Sequence, residues 1–167
     1  MMRGLKRYAP LLLKEWAVEA LLCFCFFAIS LSISAAMGVG RLRDPLADIP
    51  VAALSLTILT MGVRFVYHIS WLTYLRYRLA HSRPFSLGRT VITSAWTYGA
   101  AYILATGLGL FPLWDLIQER PFSIVLPSFL AAVLAPAVLY WLRGETFDSR
   151  VAADTAADAA AKRSDNS

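Results

Sequence analysis

An arginine and a histidine lie inside the second long apolar stretch of the sequence, residues 51–79. Arg64 and His68 are four residues apart, so a helix places them on one face, and Thr60 and Thr57 extend that face by one and two turns. Ionisable groups at membrane depth are costly and face protein or a water-filled cavity. The face could therefore line an anion or proton route. The alternative is a neutral, hydrogen-bonded core histidine beside a structural arginine.

A buried arginine needs a partner, and the sequence offers two kinds. Glu19 is the only acidic residue inside an apolar run, but it lies about one turn from the start of that run, so a direct pair would require one helix to slide or tilt. Pro136 cannot donate to the carbonyl of Ala132, which we expect near the depth of Arg64. Our hypothesis is that Arg64 caps the carbonyl groups freed near Ala132. An arginine whose long stem reaches the headgroups is the simpler alternative.

Metal binding and catalysis have little support in the sequence. Cys23 and Cys25 are two residues apart, so a helix directs them away from each other, and their separations from His68 and His81 do not suit a metal site. The sequence also lacks a serine nucleophile motif and a glycine-rich phosphate loop. We therefore expect a protein that is not an enzyme and that binds neither a cofactor nor a metal.

The composition is typical of a membrane protein. Hydrophobic residues make up 58% of the chain and charged residues 16%, compared with about 45–50% and about 25% in soluble domains. The net charge is +5, and its basic residues lie at the ends of apolar runs, as in membrane proteins. We therefore do not expect nucleic acid as a partner. The expected partners are membrane lipids and other membrane proteins, or further copies of the chain.

The apolar residues form four runs, each of a length that suits a transmembrane helix. A basic leader precedes them at residues 1–15, and a polar, flexible tail follows at residues 144–167, with at most a marginal helix. The predicted fold is an all-α integral membrane protein with four transmembrane helices, short loops and a disordered C-terminal tail. The transmembrane domain is residues 16–143, with spans at about residues 16–39, 51–79, 90–114 and 122–142.

The first run also has the features of a secretory signal, with a basic start and small residues near its end. Trp16 and Glu19 at its beginning, and the three further runs, favour an uncleaved anchor.

Basic residues predict the topology. Twelve of them flank the runs on one side of the membrane, and three lie in the two loops on the other side. Because basic residues accumulate on the cytoplasmic side, both termini should be cytoplasmic. The short loops and the lack of a eukaryotic sorting signal favour the inner membrane of a bacterium.

Small residues recur at every fourth position of the third run, where they predict a face for close helix packing: Thr93, Thr97, Ala101, Ala105 and Gly109. The function we favour is a non-catalytic subunit or accessory factor that docks onto a larger membrane assembly. A small oligomeric transporter or channel for an anion or proton is the first alternative, with the polar face of the second run as its path. A pore-forming lysis protein of the phage holin type is the second.

Overall fold

The computed structural model describes residues 2–38, 44–108 and 121–164. These ranges are helical, with no strand, so the prediction of an all-α protein is confirmed for them. The helices are α1 Met2–Ala36, α2 Pro45–Ile69, α3 Trp71–Ser82, α4 Leu87–Gly107, α5 Pro121–Arg143 and α6 Phe147–Ser164.

Among the described residues, three stretches are long and apolar enough to cross a membrane: Leu5–Ala36 in α1, Pro45–Ile69, which is all of α2, and Val125–Arg143 in α5. The third predicted span, residues 90–114, is helical as far as Gly107, and residues 109–120 lie outside the described residues. This helix, α4, is not among the three, and it carries threonine, serine, tyrosine and tryptophan along much of its length.

Helix α1 is longer than the first predicted span. It begins at Met2 and continues through Pro10, so the basic leader forms one helix with the apolar run. A proline inside a helix removes one hydrogen bond and weakens that turn. The turn is supported by tertiary packing, since Tyr8 and Leu12 are buried against Phe147 of α6.

The second predicted span, residues 51–79, is corrected by the structure, because it is two helices separated at Ser70. Ser70 is extended, and its hydroxyl donates to the carbonyl of Tyr67 at 2.9 Å while accepting from the amide of Leu72 at 3.2 Å. The Thr73 hydroxyl donates to the same carbonyl at 2.7 Å. Hydroxyl groups therefore satisfy the backbone where α2 ends and α3 begins.

The expectation of a disordered tail is wrong for Phe147–Ser164, which form α6. Thr146 and Ser149 cap its first turn reciprocally: the Thr146 amide donates to the Ser149 hydroxyl at 2.7 Å, and the Ser149 amide donates to the Thr146 hydroxyl at 3.2 Å. Alanine-rich sequence then favours the helix. Phe147 and Val151 are fully buried against α1 and α3, so this helix is a packed part of the fold.

The bundle core has two main apolar clusters. One lies between α1, α2 and α5 and is formed by Cys23, Phe27, Ala53, Met61 and Ala131. The other joins α2, the start of α3 and α4 through Val63, Tyr67, Leu72, Ala101 and Ala105. Helix α1 therefore packs on both α2 and α5, and α4 packs on their other side.

Two prolines, Pro127 and Pro136, lie inside α5. Pro136 has no amide hydrogen for the carbonyl of Ala132, and this carbonyl instead accepts from the Ser94 hydroxyl of α4 at 2.6 Å. The hypothesis that Arg64 caps this carbonyl is therefore wrong. A neutral hydroxyl supplies the missing donor and links α4 to α5.

Replacement of Ser94 by alanine tests this link. Ser94→Ala leaves the Ala132 carbonyl buried without its donor, and we expect the free energy of unfolding in detergent to fall by about 1 kcal/mol. Ser55→Ala is the matched control, because Ser55 is exposed and its hydroxyl bonds within its own helix. Denaturant titration of both variants should show little change for Ser55→Ala; equal changes would contradict the interpretation.

Candidate functional site: buried charges between the helices

Two acidic side chains lie on one face of α1, inside the protein. Glu15 is 2% exposed and Glu19 is 0% exposed. They are four residues apart, so the helix stacks them one above the other. A buried carboxylate that lacks a partner is strongly destabilising. Each of these carboxylates meets an arginine from another helix.

Arg76 of α3 binds two carboxylates at once. Its Nη1 and Nη2 donate to the carboxylate of Glu15 at 2.6 and 3.0 Å. Its Nε and Nη2 donate to the carboxylate of Asp148 at 3.0 and 3.3 Å. The Tyr67 hydroxyl lies 3.4 Å from Nη1. We call Glu15, Tyr67, Arg76 and Asp148 the Arg76 cluster; it ties α1, α2, α3 and α6 together.

The planar guanidinium group explains why an arginine occupies this position. Its N–H groups form a fixed fork that fits two carboxylates side by side, which a lysine could not do. Arg76 is 1% exposed. Burial lowers the pKa of Arg76, but the charges of Asp148 and Glu15 outweigh it and raise the pKa well above its ordinary value. Because this pKa is raised in the folded state, the stabilisation by the charged Arg76 guanidinium group is complete at neutral pH and is lost only in strong alkali.

Helix α6 has a second polar attachment to α1 at Asp154, which lies six residues after Asp148. The Tyr8 hydroxyl donates to the Asp154 carboxylate at 3.0 Å, and Arg7 pairs with the same carboxylate at 3.3 Å. These contacts are nearer the surface than the Arg76 cluster and contribute less to holding α6.

Arg64 pairs directly with Glu19. The Arg64 Nε lies 2.7 Å from the Glu19 Oε1, and both side chains are 1% exposed. The guanidinium carbon also lies 4.6 Å from the centre of the Tyr67 ring. From its place about one turn inside the apolar run, Glu19 was expected to reach Arg64 only if one helix slid or tilted. In the structure α1 begins at Met2, Glu19 lies in its middle, and the packing of α1 on α2 brings the two side chains together.

Unpartnered polar atoms are concentrated around this pair. Within the described residues, the buried side-chain nitrogen and oxygen atoms without a hydrogen-bond partner belong to Trp16, Glu19, Arg64 and His68. The rings of Trp16 and His68 are 5.6 Å apart. The Arg64–Glu19 contact is thus an ion pair whose angles fall outside hydrogen-bond geometry. Buried polar atoms of this kind are rare and mark places that water or a ligand can occupy. We call these four residues the Glu19–Arg64 site.

The other residues of the predicted polar face lie beside this site. Thr57 and Thr60 are buried on α2, and the Thr57 hydroxyl donates to the carbonyl of Ala53 in its own helix at 2.8 Å. His68 is half-buried, contacts the rings of Trp16 and Tyr67 in a tilted arrangement, and has no hydrogen-bond partner at Nε2 within the described residues. The face therefore points into the bundle.

The small-residue face of α4 packs inside the same chain. Thr97, Ala101 and Ala105 are buried, and Thr93 is half-buried. Gly109 lies outside the described residues. This face is occupied by α2 and α5, so docking onto another protein would have to use a different face of the helix.

Glu15, Arg76 and Asp148 were not predicted as site residues from the sequence. Glu15 and Arg76 lie at the ends of apolar runs, where charged residues are ordinary, and Asp148 lies in a segment that was expected to be disordered. Two sequence features indicate Glu15 and the helix that carries Asp148. Glu15 precedes Glu19 by one helical turn, and the pair Thr146 and Ser149 has the spacing of a helix cap.

Metal ligands do not converge in the described ranges: no group of three or more histidine, cysteine, aspartate or glutamate side chains could hold an ion there. Cys23 is buried, Cys25 is exposed, and both are free thiols. The His81 Nδ1 lies 3.0 Å from the Thr155 hydroxyl, at the surface.

Comparisons of the chain with protein-family models, with curated proteins and with solved structures found no match.

Removal of the shared cation tests the Arg76 cluster. Arg76→Met leaves Glu15 and Asp148 buried without a counter-charge, and we expect the free energy of unfolding to fall by about 3–5 kcal/mol. Arg78→Met is the matched control, since Arg78 lies on the same helix with an exposed side chain. Unfolding of both variants in detergent measures the difference. A loss for Arg78→Met as large as for Arg76→Met would contradict the assignment.

Neutralising Asp148 should release α6 while the bundle stays folded. Asp148→Asn removes two charge-assisted hydrogen bonds, each of which contributes about 1.5–3 kcal/mol, so we expect trypsin to cleave after Arg150 at least tenfold faster. Asp158→Asn, at an exposed position of the same helix, should leave the rate unchanged. Limited proteolysis followed by mass spectrometry gives both rates. Unchanged cleavage of Asp148→Asn would show that Arg76 does not hold α6.

Proposed function

We propose that this chain is a non-catalytic subunit or accessory factor of a larger assembly in a bacterial inner membrane. The observation that carries the proposal is the pairing of its buried charges. Arg76 binds Glu15 and Asp148, and Arg64 binds Glu19, so these groups join helices to one another. Because these charged side chains pair with one another across helices, they stabilise a rigid scaffold.

We propose four transmembrane helices, α1, α2, α4 and α5, with both termini in the cytoplasm. The three apolar stretches in α1, α2 and α5 support membrane insertion, and α4 packs beside them. The Arg76 cluster brings the first part of α1, α3 and α6 to the same end of the bundle. The basic residues of these segments then lie together, which supports a cytoplasmic position for that end.

The surface that we propose for docking is the outer face of α4. Its large side chains are Ile92, Trp96 and Ile103, of which Trp96 is 77% exposed. Trp96 and Ile103 border a shallow groove of about 340 Å³ that includes Ala95, Gly99 and Ala100. Small residues between large ones let a second helix approach closely. We propose a transmembrane helix of another membrane protein as the partner.

A transporter or channel for an anion or proton is the second candidate function. The Glu19–Arg64 site supports it, because buried ionisable groups at membrane depth are a feature of proton and ion pathways, and several polar atoms of this site form no hydrogen bond with the described residues. His68 extends this site toward the end of α2.

Filling the α4 groove tests the docking proposal. Gly99→Leu should abolish co-purification of the partner from native membranes in mild detergent, as measured by quantitative mass spectrometry. Gly62→Leu is the matched control: Gly62 is an exposed helical glycine on α2, and neither glycine has an atom within 4 Å of the position where a Cβ would be added.

Retention of the partner by Gly99→Leu would contradict this docking surface. Purification of the wild-type chain alone, as a homo-oligomer, would favour the transporter instead. Arg64→Leu should then abolish anion or proton flux into liposomes while the protein still inserts.

A further inference from the structure

A cleft opens where α2 gives way to α3. Because the backbone is extended at Ser70, α3 leaves the line of α2, and the first part of α1 runs past the junction. The space between them is about 460 Å³, large enough for a lipid headgroup and the upper part of an acyl chain. Its lining residues are Leu5, Lys6, Ala9 and Leu12 from α1, and His68, Ile69, Ser70, Trp71, Thr73 and Tyr74 from the junction. We call it the junction cleft.

The polar groups that line the cleft favour an anion. None of its lining residues is acidic, and Lys6 supplies a positive charge. The Ser70 and Thr73 hydroxyls already donate to the Tyr67 carbonyl, so they fix the wall of the cleft. Lys6, Trp71 and Tyr74 form no hydrogen bond or ion pair with another described residue, which leaves an ammonium, an indole N–H and a phenol free to donate.

The remainder of the cleft is apolar. Leu5, Ala9, Leu12 and Ile69 form its walls, and Ile69 is exposed at the end of the apolar helix α2. Trp71 and Tyr74 follow directly, and such aromatic residues are enriched where hydrocarbon meets headgroups. One wall of the cleft can therefore pack against an acyl chain, and the donor groups beside it can bind a phosphate.

We propose that the junction cleft binds an anionic phospholipid. Lys6, Tyr74 and Trp71 bind its phosphate, and its acyl chain lies along Ile69 and Leu12. The single cation with no neighbouring acid in the cleft favours a lipid with net negative charge over a zwitterionic one. The inference rests on the membrane insertion included in the proposed function, but it uses neither the α4 groove nor the partner.

Lipid titration of the purified full-length chain in detergent tests the proposal. Native mass spectrometry compares binding of phosphatidylglycerol with that of phosphatidylcholine of the same acyl chains. We expect phosphatidylglycerol to bind several-fold more tightly. Lys6→Gln should weaken its binding about fivefold, which corresponds to about 1 kcal/mol per basic residue at a membrane surface. Lys14→Gln is the matched control, because Lys14 is exposed on the same helix outside the cleft.

A second variant fills the cleft without a change of charge. Ala9→Phe should abolish the preference for phosphatidylglycerol while the protein keeps its thermal stability. Equal effects of Lys6→Gln and Lys14→Gln, or equal binding of the two lipids, would overturn the proposal. Displacement of the lipid by millimolar inorganic phosphate would assign the cleft to a soluble anion and would also overturn it. Retained partner capture by Lys6→Gln, together with weakened phosphatidylglycerol binding, separates this site from the docking surface.

Discussion

Two buried carboxylates on one face of α1 constrain the rest of the bundle. Glu15 and Glu19 lie where water cannot solvate them, so each requires a cation at short distance. Arg76 and Arg64 supply those cations from α3 and α2, and Asp148 of α6 shares Arg76. Apolar packing alone would allow these helices to slide or rotate. The ion pairs fix their register.

The two pairs differ in how completely they are satisfied. In the Arg76 cluster, both carboxylates accept two hydrogen bonds from one guanidinium group, which is the arrangement of a structural tie. Around Glu19, an ion pair is present but several buried polar atoms have no partner in the described residues. The Arg76 cluster therefore supports the proposed role as a structural subunit. The Glu19–Arg64 site is where an ion or proton path would pass in the alternative function.

Periodicity and charge were sufficient to predict much of the architecture. The apolar runs predicted the helices, and the polar face containing Arg64 and His68 does point into protein. The split at Ser70 was missed because a single serine inside an apolar run is a weak signal. The direct pairing of Arg64 with Glu19 was not predicted because it depends on how α1 and α2 are placed against each other, which is set by contacts between distant parts of the chain.

The central claim is that Glu15 and Arg76 interact directly across α1 and α3. A double-mutant cycle with Glu15→Gln, Arg76→Met and the combined variant, measured by unfolding of the full chain in detergent, tests it. We expect a coupling free energy of at least about 1.5 kcal/mol, because Glu15→Gln weakens two charge-assisted hydrogen bonds only while Arg76 is present, and because Arg76→Met leaves the Glu15 carboxylate without a counter-charge only while Glu15 is charged. A coupling near zero would contradict it, since the two side chains would then be independent.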